Sequence, residues 1–194
     1  MSPTEKFLPA YIILVIVFLL SLWAITRNNL DWENINTNYQ ITETTRFAAP
    51  DYVRAIYLTA YSAGRNEWRQ NLIEKMKDSR INSVVIDIKD YSGFILYDSQ
   101  VPAVLEINAV RSRIDDIKNI IKEFHQAGIY VIARQTVFQD PKLASAKPEL
   151  AFKTWNGNIW RDYKGLAWLD PQKEEVWEYN LAIAKEATKL GFDE

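Results

Sequence analysis

Trp160, Tyr163 and Trp168 alternate with Arg161, Asp162 and Asp170 in the stretch WRDYKGLAWLDP, Trp160–Pro171. Aromatic rings and carboxylates side by side suit a carbohydrate. A sugar offers C–H faces on which rings stack, and hydroxyl edges that Asp, Asn, Arg and Lys take. Trp155 lies close by in the chain and extends the aromatic set. The competing reading is architectural: Trp160 and Trp168 fold a long loop onto the body of the domain.

A second polar set falls within predicted strands. Tyr57 lies in VRAIYLTAY, Asp87 and Lys89 in NSVVIDIKD, and Arg134 in IYVIARQTVF. Strand alternation puts Asp87 and Lys89 on one face. There they either satisfy each other as a buried pair or touch substrate directly. Arg134 is either a partner for Asp87 or a ligand clamp. Asp87 is the candidate catalytic carboxylate. The candidate substrate-binding residues are Tyr57, Asp87, Lys89, Arg134, Trp160, Arg161, Asp162, Trp168 and Asp170.

The elements that must position these residues follow from periodicity. Strands are predicted over Val53–Tyr61, Asn82–Asp90 and Ile129–Phe138. The near-continuous apolar run Val84, Val85, Ile86, Ile88 suits a parallel strand buried on both faces. A helix over Arg65–Ser79 places Trp68, Leu72, Ile73 and Met76 on one face. A second, Arg113–Gly128, carries the stripe Ile114, Ile117, Ile120, Ile121, Phe124 and closes at Gly128. A third, Lys173–Gly191, follows Asp170-Pro171, with Asp170 as its expected cap and Pro171 at its first position. Asp90 to Gly93 reads as a turn. Strand and helix alternate three times, which predicts an α/β fold with a parallel sheet. No Gly-rich phosphate fingerprint follows any strand, so a (β/α) barrel is favoured over a dinucleotide-binding fold.

Composition narrows the chemistry. The 194 residues are 48% hydrophobic and 25% charged, as in an ordinary globular protein. The formal net charge of −2 leaves no basic excess for phosphates, so nucleic acid is not an expected partner. There is no Cys and a single His, His125, which reads as a surface or half-buried helix residue. No metal or cofactor is expected, and a metal-dependent deacetylase barrel would need His ligands absent here. Residues 7–26, FLPAYIILVIVFLLSLWAIT, carry no charge. At about 1.5 Å per residue they span roughly the 30 Å bilayer core. The run is longer than a typical signal h-region, and cleavage after Ala24 would put Leu22 at the −3 position. It reads as a single transmembrane anchor after a short tail, 1–6, and before an Asn- and Thr-rich linker, 27–50. The domain is expected on the extracytoplasmic side of the cell membrane.

The phrases AIYLTAYSAG, NSVVIDIKDYSG, VIARQTVFQDPKLASAKPELAFK and WRDYKGLAWLDPQKEEVWEYNLAIAKEATKLGFDE resemble a glycoside hydrolase domain family of bacterial exported proteins. That family is similar to alpha-amylase-like TIM-barrel hydrolases. The resemblance covers about residues 50–194. It implies the N-terminal part of a (β/α)8 TIM barrel and an activity on a polysaccharide or cell-envelope glycan. In the family pattern an Asp- and Arg-rich fourth strand follows LGFDE. The main catalytic carboxylates are therefore expected beyond Glu194, and 51–194 is expected to be a partial barrel without activity of its own. The rival expectation is a non-catalytic glycan-binding or structural envelope domain.

Overall fold

The computed structural model describes residues 47–194. The tail 1–6, the expected anchor 7–26 and the linker up to residue 46 lie outside the described residues. Among the described residues no helix is long and apolar enough to cross a membrane.

The elements run β1 (Ala55–Leu58), α1 (Ala60–Gly64), α2 (Asn66–Lys77), β2 (Ser83–Lys89), β3 (Ile95–Tyr97), α3 (Pro102–Glu106), β4 (Val110–Ile114), α4 (Ile117–Gln126), β5 (Tyr130–Gln135), α5 (Pro141–Ala146) and α6 (Glu174–Leu190). A 3₁₀ turn, Pro148–Leu150, follows α5. β2 lies between β1 and β5 and runs parallel to both. These three are the strands read from the sequence, in the order successive strand–helix units give. After α6 the chain returns beside β5. Asp193 N donates to Val131 O at 2.9 Å, and Ala133 N donates to Glu194 O at 2.6 Å.

Parallel partners share a face. Val84, Ile86 and Ile88 of β2 and Leu58 and Val131 of its neighbours are buried in the core. The row between them, Tyr57, Val85 and Ile132, points the other way, and so do Asp87 and Arg134 at the next step. The core is closed by α4, whose Ile117, Ile120, Ile121 and Phe124 are all buried. Phe124 has no exposure; its truncation to Ala would cost about 3–5 kcal/mol. Asp116 caps α4 by accepting from Asn119 N at 3.0 Å. Gly128 follows α4 with φ 76°, a left-handed turn that favours glycine.

Several expectations change. Between Asp90 and Arg113, where the sequence predicts only the turn up to Gly93, lie β3, α3 and most of β4, with β3 antiparallel to β2 and parallel to β4. Ile114 therefore belongs to β4, and the helix begins later. Strand β1 stops at Leu58 because Thr59 caps α1, its side chain accepting from Ser62 N. On α2 the buried residues are Arg69, Ile73 and Met76. Arg69 replaces the expected Trp68 because its guanidinium binds Ala63 O at 2.8 Å and Glu123 at 2.7 Å. Asp170 does not cap α6. Its Oδ1 accepts from Gln172 N and its carbonyl accepts from Lys173 N. Asp170-Pro171 is thus a turn, and Lys173 stands at the cap position.

Candidate functional site

Three residues from three adjacent parallel strands meet near the C-terminal ends of those strands. The Arg134 Nη1 donates to Asp87 Oδ1 at 2.7 Å. The Tyr57 hydroxyl donates to the other oxygen, Oδ2. The Arg134 guanidinium also lies 5.8 Å from the Tyr57 ring centroid. Asp87 is 7% exposed at its side chain and Arg134 51%. The carboxylate is thus the enclosed member, and it holds two half-exposed groups outward. The hydrogen bond to Asp87, then partial burial, raises the Tyr57 phenol above its ordinary value. The same carboxylate, again chiefly by its hydrogen bond, raises the Arg134 guanidinium. Tyr57 stays neutral and Arg134 charged at any working pH.

Lys89 takes another path. The pairing of β2 with β5 shifts register between Asp87 and Lys89. Such a bulge breaks strict alternation. Lys89 is fully buried and pairs with Asp140 Oδ2 at 2.8 Å, neither side chain having any exposure. Its Nζ also donates to Thr136 O at 2.9 Å and Asn180 Oδ1 at 3.2 Å. The Asp87–Lys89 pair expected from alternation does not form, and Lys89 does not reach the surface. Burial lowers the Lys89 pKa, and Asp140 opposes that. Asp140 also caps α5, accepting from Leu143 N at 2.8 Å. Gln135 and Asn180 extend the network, joined at 2.8 Å.

The aromatic stretch forms a small double hairpin after α5. Isolated bridges pair Ala151 with Leu169, Lys153 with Ile159, Arg161 with Ala167, and Gln139 with Trp168. Asp162 organises its tip. Oδ1 accepts from Lys164 N and Leu166 N, and Oδ2 from Trp168 Nε1 and Gln139 Nε2 at 3.1 Å each. Partial burial works against the charged form, but these bonds outweigh it and hold the Asp162 carboxyl below its ordinary range. Arg161 donates to Gly165 O at 3.0 Å. Phe152, Trp160 and Trp168 pack edge to face in series, with centroids 6.1 and 6.4 Å apart. Trp160 stays 38% exposed. Trp155 and Tyr163 project almost fully into solvent.

The structure therefore gathers the predicted residues into two groups: Tyr57, Asp87 and Arg134 on the strands, and Trp160, Arg161, Asp162 and Trp168 on the hairpin. Among the described residues no hydrogen bond, ion pair or ring contact joins the groups directly. Asp170, in its turn, adjoins the hairpin through its N–H to Leu150 O. Sequence reasoning misses Gln139 and Asp140, although Asp140-Pro141 carries a cap signal as plain as that of Asp170-Pro171. A cleft of about 440 Å³ lies elsewhere, on the helix side between β2, β5 and α6. Among the described residues no group of three or more His, Asp or Glu side chains converges as a metal site requires.

A mixed α/β fold with a parallel sheet and polar residues near its strand ends is similar to that of TIM-barrel glycoside hydrolases. Solved structures bear out the likeness of fold. The Flavobacterium johnsoniae chitobiase superposes with a TM-score of 0.53 at 20% identity, over 71% of this chain and 22% of that one. The Thermus thermophilus alpha-galactosidase in complex with stachyose gives 0.52 at 12%, over 76% of this chain and 32% of that one. This chain thus spans a third or less of either enzyme. A hypothetical protein from Ruminiclostridium thermocellum is far nearer: 45% identity, TM-score 0.69, 72% of this chain and 73% of that one. No curated protein sequence matches. Residues 55–194 match the family described as "Putative glycosyl hydrolase domain", and the chain belongs to that family.

Proposed function

We propose that this chain forms the N-terminal part of a membrane-anchored glycoside hydrolase acting on a polysaccharide or cell-envelope glycan. The observation that carries the reading is the outward-held Arg134, fixed by Asp87 and flanked by Tyr57 near the C-terminal ends of parallel strands. Active sites of (β/α) barrels stand on that face. Arg134 keeps donors free for hydroxyl edges, and the Trp160 face offers a ring for stacking.

Asp87 has both oxygens engaged, so its role is to position Arg134 and Tyr57. Hydrolysis takes two carboxyl groups, one as acid and one as base or nucleophile. In this reading they come from a later barrel strand, and residues 1–194 alone bind glycan without cleaving it. Residues 7–26 anchor the chain, with the domain outside the cytoplasm; protease digestion of intact cells that leaves the domain whole would contradict that placement.

The test is glycan binding by the full chain, with Arg134→Ala beside the parent. Loss of binding by tenfold or more supports the reading. Equal binding by both chains removes Arg134 from the site. A non-catalytic envelope glycan-binding domain is the second reading, favoured by the engagement of both Asp87 oxygens. It would be established if the complete barrel bound glycan and left it uncut.

A further inference from the structure

The insertion between β2 and α4 carries two cations that the glycan reading does not use. The Arg111 guanidinium lies 3.8 Å from the Phe94 ring centroid. The Lys142 ammonium lies 5.3 Å from the same ring. No ion pair or hydrogen bond engages either head group among the described residues, although Asp and Glu outnumber Lys and Arg, 25 to 23, in the whole chain. Two like charges drawn to one ring, with no acid paired to either, make a local positive field that attracts an anion.

Their position is defined. Phe94 directly precedes β3, which pairs with Lys89 at the C-terminal end of β2. Lys142 lies on α5, just beyond the C-terminal end of β5. A Cβ on Gly93 would stand 2.1 Å from Asp140 Oδ1 and 3.0 Å from Lys142 Cβ, so the Phe94 turn is pressed onto α5. Arg111 follows Val110, which pairs with Ile95. Both cations thus stand at the end of the sheet where Asp87 and Arg134 lie. Stacking fixes the plane of a guanidinium while leaving its in-plane N–H groups available. Those N–H groups match the two oxygens of a carboxylate.

We propose that Arg111 and Lys142, held around Phe94, form a subsite for the carboxylate of an acidic sugar, so that the preferred glycan carries uronic-acid or similar carboxylated residues. This rests on the glycan reading above. The full chain and the variant Arg111→Gln/Lys142→Gln are applied to an array bearing neutral oligosaccharides, uronate oligosaccharides and the methyl esters of those uronates. Arg111 is exposed and Lys142 half-buried, and circular dichroism checks that the variant keeps its fold. The expected result is binding to uronates at least tenfold above their methyl esters, with the preference abolished in the variant. Equal binding of acids and esters overturns the subsite and leaves the glycan reading standing. No binding to any glycan overturns both. Competition by inorganic polyphosphate as strong as by the free uronates would identify an unselective cationic patch and also overturn the subsite.

Discussion

Lys89 and Asp140 form an ion pair of 2.8 Å in which neither side chain is exposed to solvent. It ties the end of β2 to the start of α5. Such a pair contributes little net stability over an apolar pair of like volume, but losing one partner strands a buried charge. Lys89→Met is expected to destabilise the domain by about 3–5 kcal/mol. Asp140→Asn should cost less, because an amide oxygen can still cap Leu143 N. The two changes together should cost less than their sum. Urea unfolding of all three variants measures this, and strict additivity would show that the pair is not coupled.

Gly93 tests the same junction from the other side. Its φ is 80°, and a methyl group placed there would come within 2.1 Å of Asp140 Oδ1, which leaves no room for a side chain. Gly93→Ala combines a left-handed backbone with a clash against a fixed carboxylate. A loss of about 2 kcal/mol or more is expected. A melting temperature indistinguishable from that of the parent would mean the turn can move away freely.

Asp87 and Arg134 should separate recognition from stability. Arg134→Lys keeps the charge but loses the planar fork. The expected result is a glycan affinity reduced about tenfold, with a melting temperature close to that of the parent. Asp87→Ala frees both Arg134 and Tyr57 and should reduce affinity at least as much. Titration calorimetry on the three chains decides it, since an Asp87→Ala chain that binds like the parent would remove the positioning role.

Alkaline pH should weaken the fold through two tyrosines. Burial, then the hydrogen bond to Glu186, raises the Tyr97 phenol far above its ordinary value. Burial, then the Asp140 charge, raises Tyr179. Both therefore stay protonated in the folded state after the unfolded chain has begun to ionise, near pH 10. The unfolded state then binds fewer protons, so stability is intact below about pH 10 and falls above it. The slope is about 1.4 kcal/mol per pH unit for each tyrosine. Lys89 acts the opposite way, adding stability as pH approaches its ordinary value from below, and it is complete by about pH 10.5. Melting from about pH 8 to about pH 11.5, across the ordinary tyrosine range, should show the fall, with a shallower slope in Tyr97→Phe.

Asp162 should govern the hairpin rather than the sheet. Asp162→Ala removes the acceptor of four bonds, two of them from Trp168 and Gln139. The near-ultraviolet circular dichroism of the Trp160–Trp168 pair should fade while the far-ultraviolet spectrum holds. An unchanged aromatic signal would show that the bridges alone fix the tip.

The three parallel strands and their helices are legible in the sequence because their periodicities are long and apolar. Val84, Ile86 and Ile88 announce a buried strand, and Ile117 to Phe124 a helix face. β3 and β4 escape because they are short and irregular. Three residues of β3 carry no period, and VRSRI in β4 places Ser112 between Val110 and Ile114, where alternation would want an apolar group. Tyr57, Asp87 and Arg134 are found from their places near strand ends, and the Asp87–Arg134 partnership is one of the two readings their types allow. Lys89 ends up elsewhere than alternation expects because a one-residue register shift cannot be read from types alone. The two Asp-Pro pairs show the same limit. Asp140-Pro141 opens a helix and Asp170-Pro171 makes a turn, and only tertiary packing distinguishes them.

The hydrogen bonds of the aromatic hairpin are mostly its own: those of Asp162 reach Lys164, Leu166 and Trp168, and beyond the hairpin only Gln139. Its tip can therefore be exchanged like a cassette. Residues 152–166 are open to replacement without disturbing the strand that presents Arg134, whereas no comparable freedom exists at Asp87. Ligand preference in relatives of this chain should accordingly drift through the hairpin, while Arg134 stays in place.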